Sequence, residues 1–390
     1  MWRVQLHKIN YDEREYQAVK EVLDSGWLSI SEKTQTFESA FSQFLGSDSK
    51  CLAVSNGTAA LHMALLALGI GSAADGDASD EVITPALTFI ADQNVVEMTG
   101  AKNVLADITS INEDWSMDPA DIEAKITDKT KAVMIVHYAG FACDMAWITA
   151  ICKKHNLFLI EDCAHTPGAD YTAGNISQPL GTFGNIAAFS FFANKNIAVG
   201  EGGMVVTRNT DLFEKLRLLR SHGMSVLSFD RFLGRAASYD VESPGFNYRI
   251  HEISSALGLV QLAKLQDANE KRRKLVEHYY KRLDGAEHIT IPYRHFSRGK
   301  PNYHIMPILL SDKTNRMAVI ESMKQAGVQT SIHYPAIQKF SAYKDKVNST
   351  PKAEYVCAHE LTLPLYPQMT IEEVDIVCDA LHDALIKGSE

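Results

Sequence analysis

One lysine of this chain lies in a turn between two apolar segments. Lys195 follows residues 186–192 and precedes residues 204–206, with Gly200-Glu201-Gly202-Gly203 just ahead of the second segment. Both segments predict buried strands. A lysine at the mouth of a buried sheet is poorly solvated, which lowers the pKa of its amine and prepares it to act as a nucleophile or to form a Schiff base. A solvated lysine on a surface loop is the alternative, and the residues around it must decide between the two.

Other polar groups also follow apolar segments. Apolar strands alternate with amphipathic helices from about residue 50 to 210, which predicts a mostly parallel sheet with helices on both faces. In such a sheet the ligand crevice lies at the carboxyl ends of the strands. The groups expected there beside Lys195 are Glu161-Asp162 after residues 157–160, Ser55-Asn56-Gly57-Thr58 after residues 51–54, and His137 after residues 132–136.

This set of groups suits pyridoxal phosphate. That cofactor needs an amine for its aldehyde, donors for its phosphate and a carboxylate that keeps its ring nitrogen protonated. The turn through Gly57 opens a helix whose free amides could bind an anion, and an ordinary N-cap is compatible with the same residues. Asp162 alone would more often be a helix cap or a loop acid, but beside Lys195 we expect it to be the carboxylate. The glycines expected to let the backbone pass closely behind the lysine turn are Gly200, Gly202 and Gly203.

The composition is that of an ordinary soluble protein. The chain has 390 residues, 46% of them hydrophobic, and a net charge of −10, which argues against a nucleic-acid or anionic-membrane partner. No apolar run has the length of a membrane span and the start lacks a signal-peptide core, so we expect a cytoplasmic protein. The six cysteines are scattered like reduced, buried thiols, and we expect no metal at the nearest pairs, Cys152/His155 and Cys163/His165.

Two domains are expected in a chain of this length. Residues 1–260 would form a large cofactor-binding α/β domain with an N-terminal helical arm. Residues 261–390 would form a small α+β domain that begins with a linking helix.

Some local expectations concern the loops around the crevice. Phe89 is placed to stack on a planar ligand or, as most phenylalanines do, to fill the core. The expected elements are a strand-like turn at 27–29, a helix at 36–45, a helix from 86 past 96, a strand at 104–108 and an irregular basic stretch at 220–244.

Six motifs in order along the chain carry a family resemblance. They are Ser55-Asn56-Gly57-Thr58-Ala59-Ala60; Thr84-Pro85 with Thr88-Phe89; Glu161-Asp162-Cys163-Ala164-His165; Ser190-Phe191 with Lys195 and Gly200-Glu201-Gly202-Gly203; Gly245-Phe246-Asn247-Tyr248-Arg249; and His333-Tyr334-Pro335. Across residues 20–370, the chain resembles the DegT/DnrJ/EryC1/StrS sugar aminotransferases. The resemblance implies a fold-type I pyridoxal-phosphate enzyme, with a mostly parallel sheet flanked by helices and a smaller C-terminal α+β domain.

The resemblance also implies roles for individual residues. Lys195 matches the lysine that forms the Schiff base, and Asp162 matches the acid that pairs with the pyridine nitrogen. The other cofactor contacts implied are Gly57, Thr58 and Ser190 at the phosphate, Phe89 stacked on the ring, His165 beside the ring, and Asn247 reaching the phosphate of a neighbouring subunit. The substrate-side positions implied are Trp27, Arg249, His333 and Tyr334. A homodimer with shared active sites is therefore expected.

The implied activity is transfer of the amino group of glutamate to a keto group, at C-4, of a nucleotide-linked deoxysugar. The alternatives are amination at C-3 or of a keto-inositol, a pyridoxal-phosphate sugar dehydratase, and a non-catalytic cofactor-binding sensor. Relatives that act as dehydratases carry histidine where this chain has Lys195, and a sensor need not retain both Lys195 and Asp162, which disfavours these two. The glycine-proline common after the tryptophan in relatives is missing after Trp27, and the loop at 71–80 is longer. The sugar and the nucleotide (UDP, GDP or dTDP) stay open.

Overall fold

A seven-stranded sheet lies at the centre of the fold. The computed structural model describes residues 2–74 and 76–388. The central sheet has the strand order β1-β9-β8-β5-β4-β2-β3 and is parallel except for β9, as the sequence predicts. The strands are β1 (Lys50–Val54), β2 (Glu81–Pro85), β3 (Lys102–Ala106), β4 (Thr130–Val136), β5 (Phe158–Asp162), β6 (Asp170–Ala173), β7 (Ile176–Pro179), β8 (Ile186–Ser190), β9 (Gly203–Thr207), β10 (Ile289–Thr290), β11 (Met306–Leu310) and β12 (Glu360–Leu363).

Helices cover both faces of this sheet. They are α1 (Glu13–Ser25), α2 (Glu32–Leu45), α3 (Gly57–Ala67), α4 (Ala91–Thr99), α5 (Pro119–Ala124), α6 (Met145–His155), α7 (Thr210–Arg220), α8 (Ser228–Phe232), α9 (Glu252–Arg282), α10 (Arg316–Gln325), α11 (Pro351–His359) and α12 (Ile371–Gly388). The cores pack α3, α4 and α7 on one face and α2, α5, α6 and α9 on the other. None of the described helices is long and apolar enough to span a membrane.

Strand β8 shows how the two cores are built. Ile186 and Ala188 point to the core around α3, whereas Ala187 and Phe189 point to the core around α2 and α9. Successive side chains of a strand face opposite sides of a sheet, so a strand that is buried on both faces is apolar throughout. This holds the end of β8, and the lysine turn beyond it, in a rigid position.

The register of the central strands brings their carboxyl ends to one edge. Val136 at the end of β4 pairs with Asp162 of β5, and Asp162 pairs with Ala188 of β8. The turns that follow β4, β5 and β8 therefore start at nearly the same level.

The C-terminal region builds a smaller sheet. Strands β10, β11 and β12 are antiparallel, and their core includes side chains of α9, α10 and α12 together with Val4. The helix and strand at residues 351–363 were not among the sequence expectations. The expected domain boundary after residue 260 falls inside α9, which contacts both regions, and it stays a prediction.

Several expected elements begin elsewhere. Helix α2 begins at Glu32 rather than residue 36, because the Glu252 carboxylate accepts hydrogen bonds from the amides of Ser31, Lys33 and Thr34. Residues 86–90 are not helical, since the amide of Ala86 still bonds the carbonyl of Ala106, and α4 starts only at residue 91.

In other segments the structure has a different type of element from the expected one, or an element that was not expected. Residues 27–29, expected to be a strand-like turn, are irregular backbone, and the Trp27 ring contacts Phe229 and Phe232. The basic stretch at 220–244 contains the short helix α8. The hairpin β6–β7 and helix α7 were not predicted.

Candidate active site

A cavity of about 760 Å³ lies at the carboxyl edge of the central sheet. Its walls come from the start of α3, the turns after β2, β5 and β8, and residues 331–334. Nine of the residues predicted to form the site line it: Gly57, Thr58, Phe89, Asp162, His165, Ser190, Lys195, His333 and Tyr334. The structure thus brings these residues together, while their individual roles stay predictions.

The start of α3 forms an anion cradle. Asn56 has extended backbone and caps the helix, its side-chain oxygen accepting from the Ala59 amide at 2.8 Å. The amides of Gly57 and Thr58 come before that of Ala60, the first to donate within the helix, so they are free to bind a ligand. A Cβ on Gly57 would lie 2.8 Å from the Ser190 Cβ, so only glycine lets the helix start approach β8 this closely. The donors and the space fit a phosphate group.

The glycines beyond the lysine turn have the expected close contacts. A Cβ on Gly203 would lie 2.6 Å from the backbone carbon of Asn56, and one on Gly202 would lie 2.6 Å from Val199. Gly200 has a φ of +90°, which side chains disfavour. The backbone therefore passes directly behind the cavity wall.

Asp162 ends β5 and is nearly buried. Its Oδ1 accepts from the Ala164 amide at 2.8 Å. Burial raises its pKa, while the Ala164 amide and the charge of Lys195 act in the opposite direction. A carboxylate held in this way suits a protonated ring nitrogen of a cofactor.

A second buried carboxyl group, Asp92, faces Asp162. Burial and the charge of Asp162 raise the pKa of Asp92 well above its usual range. Thr88 donates to its Oδ2 at 2.6 Å, and Oδ1 has no partner with the standard geometry in the described part of the chain. We assign the proton of the pair to Asp92, because Asp162 has the better donors. Sequence reasoning missed Asp92, since its four-residue spacing from Thr88 signals only a helix start.

Lys195 has the low pKa that its position predicts. Burial lowers the pKa of its amine from 10.5 to about 8, against the opposing charge of Asp162. The next residue holds the turn: the Asn196 side-chain amide donates to Asn269 of α9 at 2.8 Å, and its oxygen lies 3.0 Å from Nδ1 of His304. The lysine turn is thus tied to α9 and to the C-terminal region, a link that no local pattern could reveal.

Two histidines and a tyrosine, His165, His333 and Tyr334, also line the cavity. His165 accepts the Ala139 amide at Nδ1, and its Nε2 lies 3.1 Å from the Tyr334 hydroxyl. Burial and the charge of Lys195 hold the pKa of His165 well below its usual range, so the ring stays neutral. Phe89 is 56% exposed and its ring centroid lies 5.7 Å from that of Tyr334, which places it at the mouth rather than in the core.

His137 does not reach the cavity, contrary to expectation. It is fully buried, and its Nε2 lies 3.3 Å from Oε2 of Glu161. Its Nδ1 accepts the Cys143 amide at 3.2 Å, so the ring carries its proton on Nε2 and donates it to Glu161 behind the cavity wall. Glu161 also accepts the amides of residues 181, 183 and 184, which leaves it to support the loop after β7.

The structure groups possible metal ligands differently from the sequence pairs Cys152/His155 and Cys163/His165. In the described residues, the group close enough to hold a metal ion is His137, Glu161 and Cys163, with ligand atoms within 4.8 Å of one another. Hydrogen bonds from backbone amides already occupy the Glu161 oxygens and the second nitrogen of His137.

Three predicted site residues lie outside this cavity. Asn247 pairs with Ser221, and Arg249 pairs with Val54 at the end of β1. The Nη1 of Arg249 is buried and has no hydrogen-bond partner among residues 2–74 and 76–388. Trp27 lies against α8. A single chain therefore does not bring these three residues to its own cavity.

Known proteins resemble this chain over almost its full length. Residues 10–382 match the profile of the DegT/DnrJ/EryC1/StrS aminotransferase family. The spore coat polysaccharide biosynthesis protein SpsC of Bacillus subtilis (strain 168) is 37% identical over 387 residues, covering 96% of this chain and 95% of that protein.

Solved structures show the same fold. PseC of Helicobacter pylori, an aminotransferase involved in the biosynthesis of pseudoaminic acid, has a TM-score of 0.89 at 28% identity over 98% of this chain and 99% of its own. The putative sugar aminotransferase Spr1654 of Streptococcus pneumoniae, in its PLP form, has a TM-score of 0.87 at 26% identity over 97% of both chains. With the lysine, the carboxylate and the anion cradle on one cavity, these matches show that the chain belongs to the DegT/DnrJ/EryC1/StrS family of pyridoxal-phosphate-dependent sugar aminotransferases.

Proposed function

We propose that this enzyme moves the amino group of L-glutamate to the C-4 keto group of a nucleotide-linked deoxysugar. The observation that carries the proposal is the cavity in which Lys195, Asp162 and the free amides at the start of α3 meet. The position C-4 is supported by the Gly200-Glu201-Gly202-Gly203 sequence, whose Glu201 lines the same cavity. The place of action proposed is the cytoplasm, in keeping with six free, buried cysteines.

The residues present fit pyridoxal 5′-phosphate. Gly57, Thr58 and Ser190 would hold its phosphate, and Asp162 its ring nitrogen. Phe89 and His165 would border its ring. When bound, the cofactor supplies an aldehyde that exchanges amino groups and a protonated ring that withdraws electrons from the reacting carbon.

Lys195 has two tasks in this proposal. Its amine would first hold the cofactor and, once displaced, move a proton at the reacting carbon. A pKa of about 8 suits both tasks, because about a tenth of the amine is uncharged at pH 7, far more than for an ordinary lysine. Asp162 would stay ionised to hold the ring proton, and Asp92 would donate its own proton to Asp162.

A homodimer with shared sites is part of the proposal. Asn247 and Arg249 lie outside the cavity of their own chain, and the segment that precedes them in sequence exposes large apolar side chains, Phe232 at 70% and Val241 at 54%. A second copy that covers this surface would receive Asn247 at its own phosphate cradle. Mixing Lys195→Ala with Asn247→Ala protein would then restore about a quarter of the wild-type activity, because half of the dimers are mixed and each keeps one intact site. Two inactive parents whose mixture stays inactive would contradict sharing.

The substrate is tested with a panel of sugars. UDP-, GDP- and dTDP-linked 4-keto-6-deoxysugars are incubated with glutamate and the holoenzyme, and the products are examined by mass spectrometry. We expect one nucleotide series to yield an amino sugar and 2-oxoglutarate, with Lys195→Ala as the inactive control. NMR of the product locates the new amine, and turnover of 3-keto-6-deoxysugars but of none of these 4-keto sugars would refute the C-4 assignment.

A further inference from the structure

A chain of hydrogen bonds leads from the cavity wall into the small C-terminal sheet. Nδ1 of His333 lies 2.8 Å from the Thr362 hydroxyl, and that hydroxyl contacts Oε1 of Glu360. The His333 amide donates to Oε2 of Glu360 at 2.7 Å. Glu360 and Thr362 are fully buried on β12, and of the three residues only His333 lines the cavity.

The donors in this series of hydrogen bonds fix the tautomer of His333. The Thr362 hydroxyl has a single hydrogen. When Glu360 is ionised, that hydrogen goes to the carboxylate, so Thr362 must accept from His333 and Nδ1 carries the ring proton. Nε2 has no hydrogen-bond partner in the described part of the chain, and its bare lone pair then faces the cavity.

Protonation of Glu360 reverses both hydrogen bonds of the Thr362 hydroxyl. Oε2 already accepts the His333 amide, so the proton must sit on Oε1 and point to Thr362. Thr362 then donates to Nδ1, because its hydrogen would otherwise have no acceptor. The ring proton moves to Nε2, where it faces the cavity as a donor.

The surroundings place the proton on Glu360 rather than on the imidazole. Burial and the charge of Lys195 lower the pKa of His333 to about 3. Burial raises the pKa of Glu360 to about 8, against hydrogen bonds from Thr362 and the His333 amide and the charge of Arg316.

Other polar groups around these three residues have fixed hydrogen-bond partners. Arg316 donates to the carbonyls of Cys357 and Glu360, and the Tyr138 hydroxyl donates to the carbonyl of His333. The other titratable side chains that line the cavity are His62, Asp162, His165, Lys195, Glu201, Tyr248 and Tyr334. A proton that enters at Nε2 therefore comes to rest on Glu360.

We propose that Glu360 is the proton store of this active site and exchanges protons with the cavity through Thr362 and His333. The inference rests on the proposed transfer from glutamate, whose amine arrives as an ammonium group and must lose a proton to react. Above about pH 8, where Glu360 is ionised, that proton goes to Nε2, the Nδ1 proton goes to the Thr362 oxygen, and the Thr362 proton goes to Oε1. The amine changes from +1 to neutral, Glu360 changes from −1 to neutral, and His333 is neutral before and after.

The first test observes the tautomer in the free enzyme. ¹⁵N NMR of histidine-labelled protein, with His333→Gln used to assign the signal, reports which ring nitrogen carries the proton. In wild-type protein we expect Nδ1–H above about pH 8 and Nε2–H below it. In Glu360→Gln we expect Nε2–H at every pH, because the amide oxygen must face the His333 amide and its NH₂ group must donate to Thr362. A wild-type tautomer that never changes between about pH 6 and 9 would overturn the proposal.

The second test measures proton use in the glutamate half-reaction. Stopped-flow absorbance of the holoenzyme with glutamate, above about pH 8, should show rates at least about 10-fold lower in Glu360→Gln and Thr362→Val. Thr362→Ser should restore most of the rate lost in Thr362→Val, because it keeps the hydroxyl. Glu354→Gln, which changes a partly exposed glutamate on neighbouring α11, is the matched control and should leave the rate unchanged.

The two proposals fail separately. Tautomer switching in an enzyme that aminates no sugar of the panel would support the proton store and refute the substrate. Sugar amination by an enzyme whose Thr362→Val variant reacts at the wild-type rate would support the function and refute the store.

Discussion

Replacing Glu360 by glutamine should stabilise the protein relative to the wild type, by an amount that increases as the pH rises. Glu360 is fully buried, and burial raises the pKa of its carboxyl group from 4.5 to about 8. The folded state thus binds this proton more tightly than the unfolded chain does. The contribution of Glu360 to stability is fully present below pH 4.5 and is lost as the pH rises towards about 8. Glutamine does not ionise, and it can keep both hydrogen bonds, so the variant escapes this loss.

The size of the effect follows from the pKa. Each pH unit between 4.5 and about 8 is worth about 1.4 kcal/mol, so the wild-type protein loses about 5 kcal/mol across this window. At pH 7 the loss is about 3 kcal/mol. This exceeds the effect of most single substitutions, and it has the opposite sign to the usual cost of removing a buried charged residue.

Urea unfolding of the cofactor-free protein measures this difference. Wild-type, Glu360→Gln and Glu354→Gln proteins are compared at a series of pH values from about 5 to 8. We expect the free energy of unfolding of Glu360→Gln minus that of the wild type to increase steadily with pH, while the Glu354→Gln difference stays flat. A difference that is constant or falls with pH would show that Glu360 is ionised throughout, and would refute the reasoning.

Three further predictions concern the cavity itself. Gly57→Ala should weaken pyridoxal-phosphate binding about 10-fold or more in a fluorescence titration, because the new Cβ would lie 2.8 Å from Ser190; unchanged binding would show that the cradle does not hold the phosphate. Asp92→Asn removes a carboxyl group whose pKa is raised by burial and by the charge of Asp162. The melting temperature of the variant should therefore exceed that of the wild type by an amount that grows as the pH rises from about 4 to 7. A difference in melting temperature that does not change with pH would place the shared proton elsewhere. Lys195→Met should abolish activity yet stabilise the cofactor-free protein by about 2 kcal/mol at pH 7. Holding the charged amine in the folded protein costs stability below about pH 8, and methionine removes that cost, which is reduced because Lys195 is only partly buried; a less stable variant would contradict the lowered pKa.

Much of the cavity could be predicted from local sequence. Asp162 and Lys195 each follow an apolar segment, and Asn56-Gly57 separates such a segment from a helix. In a mainly parallel sheet, residues that follow strands share one edge, so spacing along the chain is enough to group them. The structure confirms this grouping, because Asp162, Lys195 and Gly57 line one cavity.

His137 shows the limit of this argument. It also follows a strand, but its ring turns inward to Glu161 instead of outward to the cavity. Strand order places a residue at the edge, whereas the direction of its side chain depends on which buried partner it finds. That partner cannot be read from the position of His137 alone.

The sequence by itself determined the alternation of strands and helices around the central sheet, the positions of Lys195 and Asp162, and the family. It could do so because strand ends, helix caps and glycine turns depend on residues a few positions apart. Only the tertiary structure decided that Asp92 faces Asp162 and that Glu360 reaches His333. These contacts join residues far apart in the chain, and the burial that moves their pKa values exists only once the chain has folded.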